Sequence, residues 1–212
     1  DLVRSRGLGD VYKRQVVAPS FYTYDDEALF RHFKMTAKAV KGFPVLLYNL
    51  PSCAKNVLKP ELVVRLAVEV ENIVGIKDSG GLLQQLDRIL IHTRKNFVVI
   101  SGTDEYAYQA LVSGARGMVS STANVIPELF LEIFHAVKRG RFQAARSAQN
   151  SLARATQLFQ YGAMVAYYKE GLRLRGFDPG AVRPPQRELT AAEKGRFSRG
   201  LHSLAREMGF RL

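Results

Sequence analysis

Five short apolar runs recur along this chain, each followed by an amphipathic stretch, and they end near residues 18, 48, 77, 102 and 120. The first intervals are close to 30 residues, the length of a strand, its crossover helix and the return. Alternation of this kind predicts a parallel sheet built from βα units with right-handed crossovers. The first run ends at Val16-Val17-Ala18-Pro19. Asp25 or Asp26 then caps a helix with Leu29, Phe30, Phe33, Ala37 and Val40 on one face, stopped by Gly42. The second run leads through Val45 to Tyr48, and Pro60 opens a helix over Leu62, Val63, Leu66 and Ala67. The third, Ile73 to Lys77, precedes a helix carrying Leu82, Leu83, Leu86, Ile89 and Leu90. The fourth runs from Phe97 to Gly102, with a helix around 107–112 after it, and the fifth is Gly117 to Ser120. Beyond Asn124 the pattern is helical throughout: one helix from Pro127, one from Phe142 to about Phe159, and one from Met164 to near Gly176. A last helix opens on the capping box Thr190-Ala191-Ala192-Glu193.

A chain of 212 residues, 47% hydrophobic and 24% charged, has the makeup of an ordinary globular protein. It has no uninterrupted apolar stretch of about 18 residues, so a soluble, cytoplasmic protein without a membrane partner is expected. A lone Cys53 precludes an internal disulfide framework. The net charge of +12 raises nucleic acid as a partner, but residues 16–137 hold twelve basic and twelve acidic side chains. The excess lies in residues 138–212, with fifteen basic against five acidic side chains, spread along helices without interleaved stacking aromatics. A solvated face or a subunit contact explains that better than a nucleic-acid site. His32, His92, His135 and His202 share no ligand spacing, so no metal is expected. Gly80-Gly81 lacks the context of a phosphate loop. Residues 1–15 show neither period and are set aside as an extraneous segment.

The third run, Ile73-Val74-Gly75-Ile76-Lys77-Asp78, puts one lysine at the end of a β-branched strand. An ammonium among apolar neighbours loses hydration, which lowers its pKa and leaves more of the amine that attacks a carbonyl carbon. Lysines are almost never fully buried, so a solvent-facing Lys77 is the competing reading. The second run ends similarly, in Tyr48-Asn49-Leu50-Pro51. Together the two segments resemble the dihydrodipicolinate synthase and N-acetylneuraminate lyase family, which carries Tyr-Asn-x-Pro at the end of the fifth barrel strand and Gly-x-Lys at the end of the sixth. The resemblance extends from about Val16 to the C-terminus.

The resemblance implies an α/β fold: a partial TIM (β/α)8 barrel, strands four to eight, in residues 16–138, followed by a C-terminal helical bundle in residues 139–212. A complete barrel needs about 250 residues, so about three βα units are absent. It implies a class I aldolase or lyase with no cofactor beyond the lysine, acting on a 2-oxo acid, in a homo-oligomer (dimer or tetramer). Lys77 corresponds to the Schiff-base lysine and Tyr48 to the tyrosine that relays the proton. Gly102, Asp104 and Glu105 resemble the neuraminate-lyase loop that binds sugar-acid hydroxyls, although Asp104 reads equally well as a helix N-cap. Ser121 matches another hydroxyl-binding serine, and Ser79 joins these binding candidates. Tyr22 stands beside Phe21, where the family often has a tyrosine. Cys53 occupies the position of the arginine that grips the second substrate's carboxylate in the synthases, and a thiol makes no bidentate contact of that kind. The expected substrate is therefore a 2-keto-3-deoxy sugar acid, 4-hydroxy-2-oxoglutarate or N-acetylneuraminate. The 4-hydroxy-tetrahydrodipicolinate synthase reaction ranks second, and an inactive fragment or oligomerisation module third.

Overall fold

The computed structural model describes residues 14–40, 42–159 and 163–212. Among these residues the five runs form one parallel sheet in chain order: β1 (Arg14–Val17), β2 (Val45–Asn49), β3 (Ile73–Asp78), β4 (Val98–Ser101) and β5 (Gly117–Met118). The intervening helices are α1 (Asp26–Ala39), α2 (Pro51–Ala54), α3 (Pro60–Glu69), α4 (Leu83–His92) and α5 (Ala107–Ser113), the last preceded by a 3-10 turn at Asp104–Tyr106. Most of residues 1–15 lie outside the described residues, but Arg14 and Gln15 pair with Val45 and Leu46. The strand ladder thus reaches two residues into the segment that the sequence suggests setting aside. β5 is shorter than the expected 117–120, and one turn of helix, α2, stands where only a turn is legible.

Local rules account for these elements. The Asp25 carboxylate accepts from the Ala28 amide at 2.7 Å and closes the α1 N-terminus, and Asp26 and Glu27 add negative charge in the first turn. Pro60 occupies the first turn of α3, where its missing N–H costs nothing. In β3 a side chain at Gly75 would force its neighbours apart, because a Cβ there would stand 2.8 Å from Leu46 Cδ2 and 2.9 Å from Val98 Cβ.

Register separates two faces. Leu47, Ile76 and Val99 pair across the sheet and are fully buried. Asn49, Asp78 and Ser101 share that face two residues on and are buried as well. The opposite face carries the row Val17, Tyr48, Lys77 and Ile100. It is the more open one: Val17 is 42% exposed and the other three are half-buried.

By packing, the chain divides into two compact units. One comprises residues through Thr103 plus Gln109–Val119, and the other Asp104–Tyr108 plus Ser120–Leu212. The second contains α6 (Pro127–Lys138), α7 (Phe142–Gln157), α8 (Met164–Leu174) and α9 (Ala191–Met208). Small side chains at Ala145, Ala148 and Ala155 bury one face of α7, and α6 packs against that helix. The Thr190–Glu193 capping box opens α9 as expected. Gly171 in α8 lies so near Val125 that a Cβ would stand 2.6 Å from its Cγ1.

Candidate active site

Parallel pairing of β2 with β3 sets Tyr48 directly beside Lys77, and in-register residues of neighbouring parallel strands point the same way. The ammonium of Lys77 donates to the Tyr48 hydroxyl at 3.1 Å and lies 4.2 Å from the centre of the same ring. Gly102 closes over this pair: a Cβ at that position would come within 3.0 Å of Lys77 Cε and would collide with Ser79 Oγ. Four of the expected residues, Lys77, Tyr48, Ser79 and Gly102, are therefore one group at the C-terminal ends of β2, β3 and β4. Tyr48 and Cys53 both line a cavity of about 400 Å³, which Gln15 and Ser20 also border.

On the buried face behind this group, Asn49 joins the two strand ends. Its amide donates to Asp78 Oδ1 at 2.7 Å, and its carbonyl oxygen accepts from the Leu58 amide at 3.0 Å. Gly80 N also donates to Asp78 Oδ1, at 3.0 Å, while Asp78 Oδ2 is buried with no hydrogen-bond partner. Burial pushes the Asp78 carboxyl above the usual carboxylate range, and the bonds from Asn49 and Gly80 only partly offset this. In sequence Asn49 appears only as part of the Tyr-Asn-x-Pro motif and Asp78 only as the neighbour of Lys77, neither with a role of its own.

Tyr22 does not join the group. Its side chain is 66% exposed and meets Phe21 edge to face at 4.9 Å. The loop backbone is fixed by Asn56, which donates to the carbonyls of Pro19 (2.7 Å) and Tyr22 (2.8 Å) and accepts from Tyr24 N (2.8 Å). Phe21 adopts a left-handed φ of 83° there.

Asp104, Glu105 and Ser121 belong to the second unit and form a polar cluster there with Ser120, Thr122 and Tyr168. Asp104 opens the 3-10 turn, and the Ser120 and Thr122 hydroxyls act on its carboxyl. Burial raises its pKa and the neighbouring Glu105 charge adds to the rise, while the two hydroxyls oppose it. Gln149 of α7 holds the turn in place by donating to the carbonyls of Asp104 (2.9 Å) and Glu105 (3.2 Å) and accepting from Tyr108 N (2.8 Å). Ser120 Oγ accepts from the amides of Thr122 (3.0 Å) and Ala123 (3.3 Å). The α8 phenol of Tyr168 approaches Thr122 Oγ1 at 3.5 Å, 46 residues away in sequence. Sequence reasoning misses Gln149 and Tyr168, since both sit in helices whose pattern is that of packing.

No group of three or more His, Cys, Asp or Glu side chains suited to a metal occurs among the described residues. Nor is any described helix long and apolar enough to cross a membrane.

Comparison with known proteins places these geometries in context. The sequence profile described as the dihydrodipicolinate synthetase family matches residues 12–204, so the match begins inside the segment 1–15. An uncharacterized DapA-like lyase of Pyrococcus horikoshii is 33% identical over 174 residues, covering 80% of this chain and 60% of that protein. A 4-hydroxy-tetrahydrodipicolinate synthase of Methanopyrus kandleri is 34% identical over 188 residues, covering 89% of this chain and 62% of that one. Among solved structures, dihydrodipicolinate synthase DapA-2 of Bacillus anthracis superposes with a TM-score of 0.86 at 33% identity, over 92% of this chain and 66% of that chain. YagE of E. coli K12, a prophage protein of the same family solved in complex with pyruvate, gives 0.85 at 27% identity, over 91% and 66%. The chain thus spans about 60% of the length of these curated relatives. Its five parallel strands and C-terminal helices correspond to part of the family's TIM-barrel-like fold. With most of its length matched to one profile and its sheet matched to that family's structures, the chain belongs to the dihydrodipicolinate synthetase family.

Proposed function

We propose that the complete protein is a class I aldolase or lyase in which Lys77 forms a Schiff base with a 2-oxo acid and Tyr48 relays the proton. The observation that carries this reading is the 3.1 Å contact between Lys77 Nζ and the Tyr48 hydroxyl, made by two residues paired in register on adjacent strands. The family's chemistry runs through a Schiff-base lysine with no separate cofactor. The Lys77 amine attacks the C2 ketone and loses water to give an iminium, an electron sink beside C3. Tyr48 takes the proton of the C4 hydroxyl as the C3–C4 bond breaks. The aldehyde leaves, and the bonding pair moves into the iminium as an enamine. Protonation at C3 and addition of water release pyruvate and return the amine. The reverse sequence makes the carbon–carbon bond. Ser79 and Gly102, against the lysine stem, are assigned to substrate binding, as is Tyr22 on its exposed loop.

Cys53 borders the same cavity as Tyr48. A thiol there offers no two-donor grip on a carboxylate, which favours cleavage of a 2-keto-3-deoxy sugar acid, 4-hydroxy-2-oxoglutarate or N-acetylneuraminate. The 4-hydroxy-tetrahydrodipicolinate synthase reaction is the second reading, because that name belongs to the Methanopyrus relative. Assembly into a homo-oligomer is part of the same proposal, as is the assignment of residues 16–138 to the barrel and 139–212 to the bundle.

Incubation with pyruvate and borohydride, followed by peptide mass spectrometry, tests the central step. A reduced pyruvate adduct on Lys77, lost in Lys77→Ala and slowed roughly 10²-fold or more in Tyr48→Phe, is the expected result. An adduct on another lysine, or none in a version carrying the family's remaining strands, overturns the reading. Turnover of sugar acids against aspartate semialdehyde then separates the two activities.

A further inference from the structure

We propose that Asn49 and Asp78 are positioning residues, a clamp across the ends of β2 and β3 that holds the Tyr48 hydroxyl and the Lys77 amine at reacting distance. This deepens the aldolase reading and rests on it for what Tyr48 and Lys77 do. Both of those residues are the last but one of their strands, and the ends of elements are where a fold frays. Asn49 and Asp78 are the next pair in register, and alternation along the strands turns them to the opposite face. The 2.7 Å bond between them therefore closes the sheet immediately behind the reacting pair. Each is 1% exposed, so water does not compete for that bond.

Neighbouring groups hold both partners of the clamp. The Asn49 carboxamide is used at each end: its oxygen accepts from the Leu58 amide at 3.0 Å, which fixes the orientation that aims its nitrogen at Asp78. Gly80 N donates to the same Asp78 oxygen at 3.0 Å. A Cβ at Gly80 would stand 2.7 Å from Asn49 Nδ2 and 3.0 Å from Asp78 Oδ1, so the turn after β3 closes directly onto the bond. Backbone bonds from Ser79 N to Asn49 O (2.8 Å) and from Gly102 N to Asp78 O (2.7 Å) extend the clamp to the ends of three strands. Gly102 in turn lies against the lysine stem. What the clamp asks of residue 78 is one oxygen that accepts twice. It asks for no charge, and the burial that raises the Asp78 pKa favours the uncharged acid.

Tyrosine labelled isotopically at Cζ reports the hydrogen bond of its phenol by NMR, without any turnover. On the full chain the Tyr48 resonance, assigned by its loss in Tyr48→Phe, is expected to move when Lys77→Ala removes the donor. It should move the same way in Asn49→Ala, and in Gly80→Ala, which wedges the bond apart while removing no polar group. Asp78→Asn keeps the twice-accepting oxygen and should leave the resonance in place. In a version carrying the family's remaining strands, Asn49→Ala should slow borohydride trapping of pyruvate about tenfold or more, and should slow Tyr48→Phe no further, because the clamp acts through that contact. A purely structural role lowers the thermal midpoint, leaves the Tyr48 resonance where it was and slows trapping by the same factor in both backgrounds. That outcome overturns the clamp, as does a resonance indifferent to Lys77→Ala or displaced as far by Asp78→Asn as by Asn49→Ala. Gly80→Ala gives the answer where Asn49→Ala does not fold. Trapping on Lys77 with no response to either variant refutes the clamp alone; resonance shifts in both variants without trapping in the wild type refute the Schiff-base reading alone.

Discussion

At the scale of single residues, Gly102 decides how Lys77 is presented. Its missing side chain leaves room for Ser79 Oγ and for the lysine stem, which a Cβ would approach to 3.0 Å at Cε. Ser79 can rotate away at little cost, whereas the lysine can yield only by moving its amine relative to Tyr48. Gly102→Ala is therefore expected to fold, with a thermal midpoint within a few degrees of the wild type. Its borohydride trapping of pyruvate should slow by roughly 10- to 100-fold, since a displacement of about 1 Å is enough for that. A wild-type trapping rate in a folded Gly102→Ala would show that the close approach is irrelevant to the chemistry. Lys77 and Tyr48 were legible because a lysine or phenol at the end of an apolar run is conspicuous, whereas Ser79 and Gly102, just past β3 and β4, were legible only through the family resemblance. Asn49 and Asp78 were less so: they are the last residues of β2 and β3, but a polar residue after an apolar run reads as the start of a loop until the 2.7 Å bond between them is seen. Tyr168 gave no local signal, because its partner Thr122 is 46 residues away.

Elements were easier to read than residues, and α8 shows both what the pattern reveals and what it hides. The helix from Met164 was expected to end near Gly176 and ends at Leu174, with Gly176 in a left-handed conformation at φ 82°. Gly171 lies inside it, where glycine ordinarily costs helix stability, and periodicity supplies no reason for it. The reason is tertiary: Val125 methyls occupy the space, 2.6 and 2.8 Å from where a Cβ would be. Gly171→Ala gains helix propensity of about 1 kcal/mol and loses more to overpacking, which typically costs about 1–3 kcal/mol. The expected net effect is a lower urea midpoint, and pairing it with Val125→Ala should restore the midpoint by opening the space. Additive losses in the double variant would contradict the packing account. Strand ends were legible for the opposite reason, being set by chain-local β-branched runs. β5 fell short of Ser120 because Ser120 bends into the turn that serves Thr122 and Ala123, a side-chain bond that no strand pattern encodes.

Over the whole molecule, the pH dependence of stability has two limbs of opposite sign, set by carboxyls that the fold treats differently. Glu193 accepts from Arg187 and from the Thr190 backbone and side chain, which lowers its pKa from 4.5 to about 2. Glu69 and Glu207 are lowered in the same sense by Arg65 and Arg154. A carboxylate depressed on folding adds stability above its unfolded pKa and loses it as pH falls, here from 4.5 toward about 2. Asp78 and Asp104 behave inversely, because burial raises both above 3.8. Between 3.8 and the raised value the folded state holds a proton that the unfolded chain has released, so stability falls as pH rises through that window. Urea midpoints should therefore pass through a maximum in mildly acidic solution. Asp78→Asn keeps an oxygen to accept from Asn49 and Gly80 but cannot ionise, so it should flatten the decline on the higher-pH side and leave the acid limb unchanged. Glu193→Gln should do the reverse, softening the acid limb only. If Asp78→Asn shows the wild-type slope on the high-pH side, the buried carboxyl is already ionised in the folded protein, and its unpartnered Oδ2 needs a donor other than its own proton.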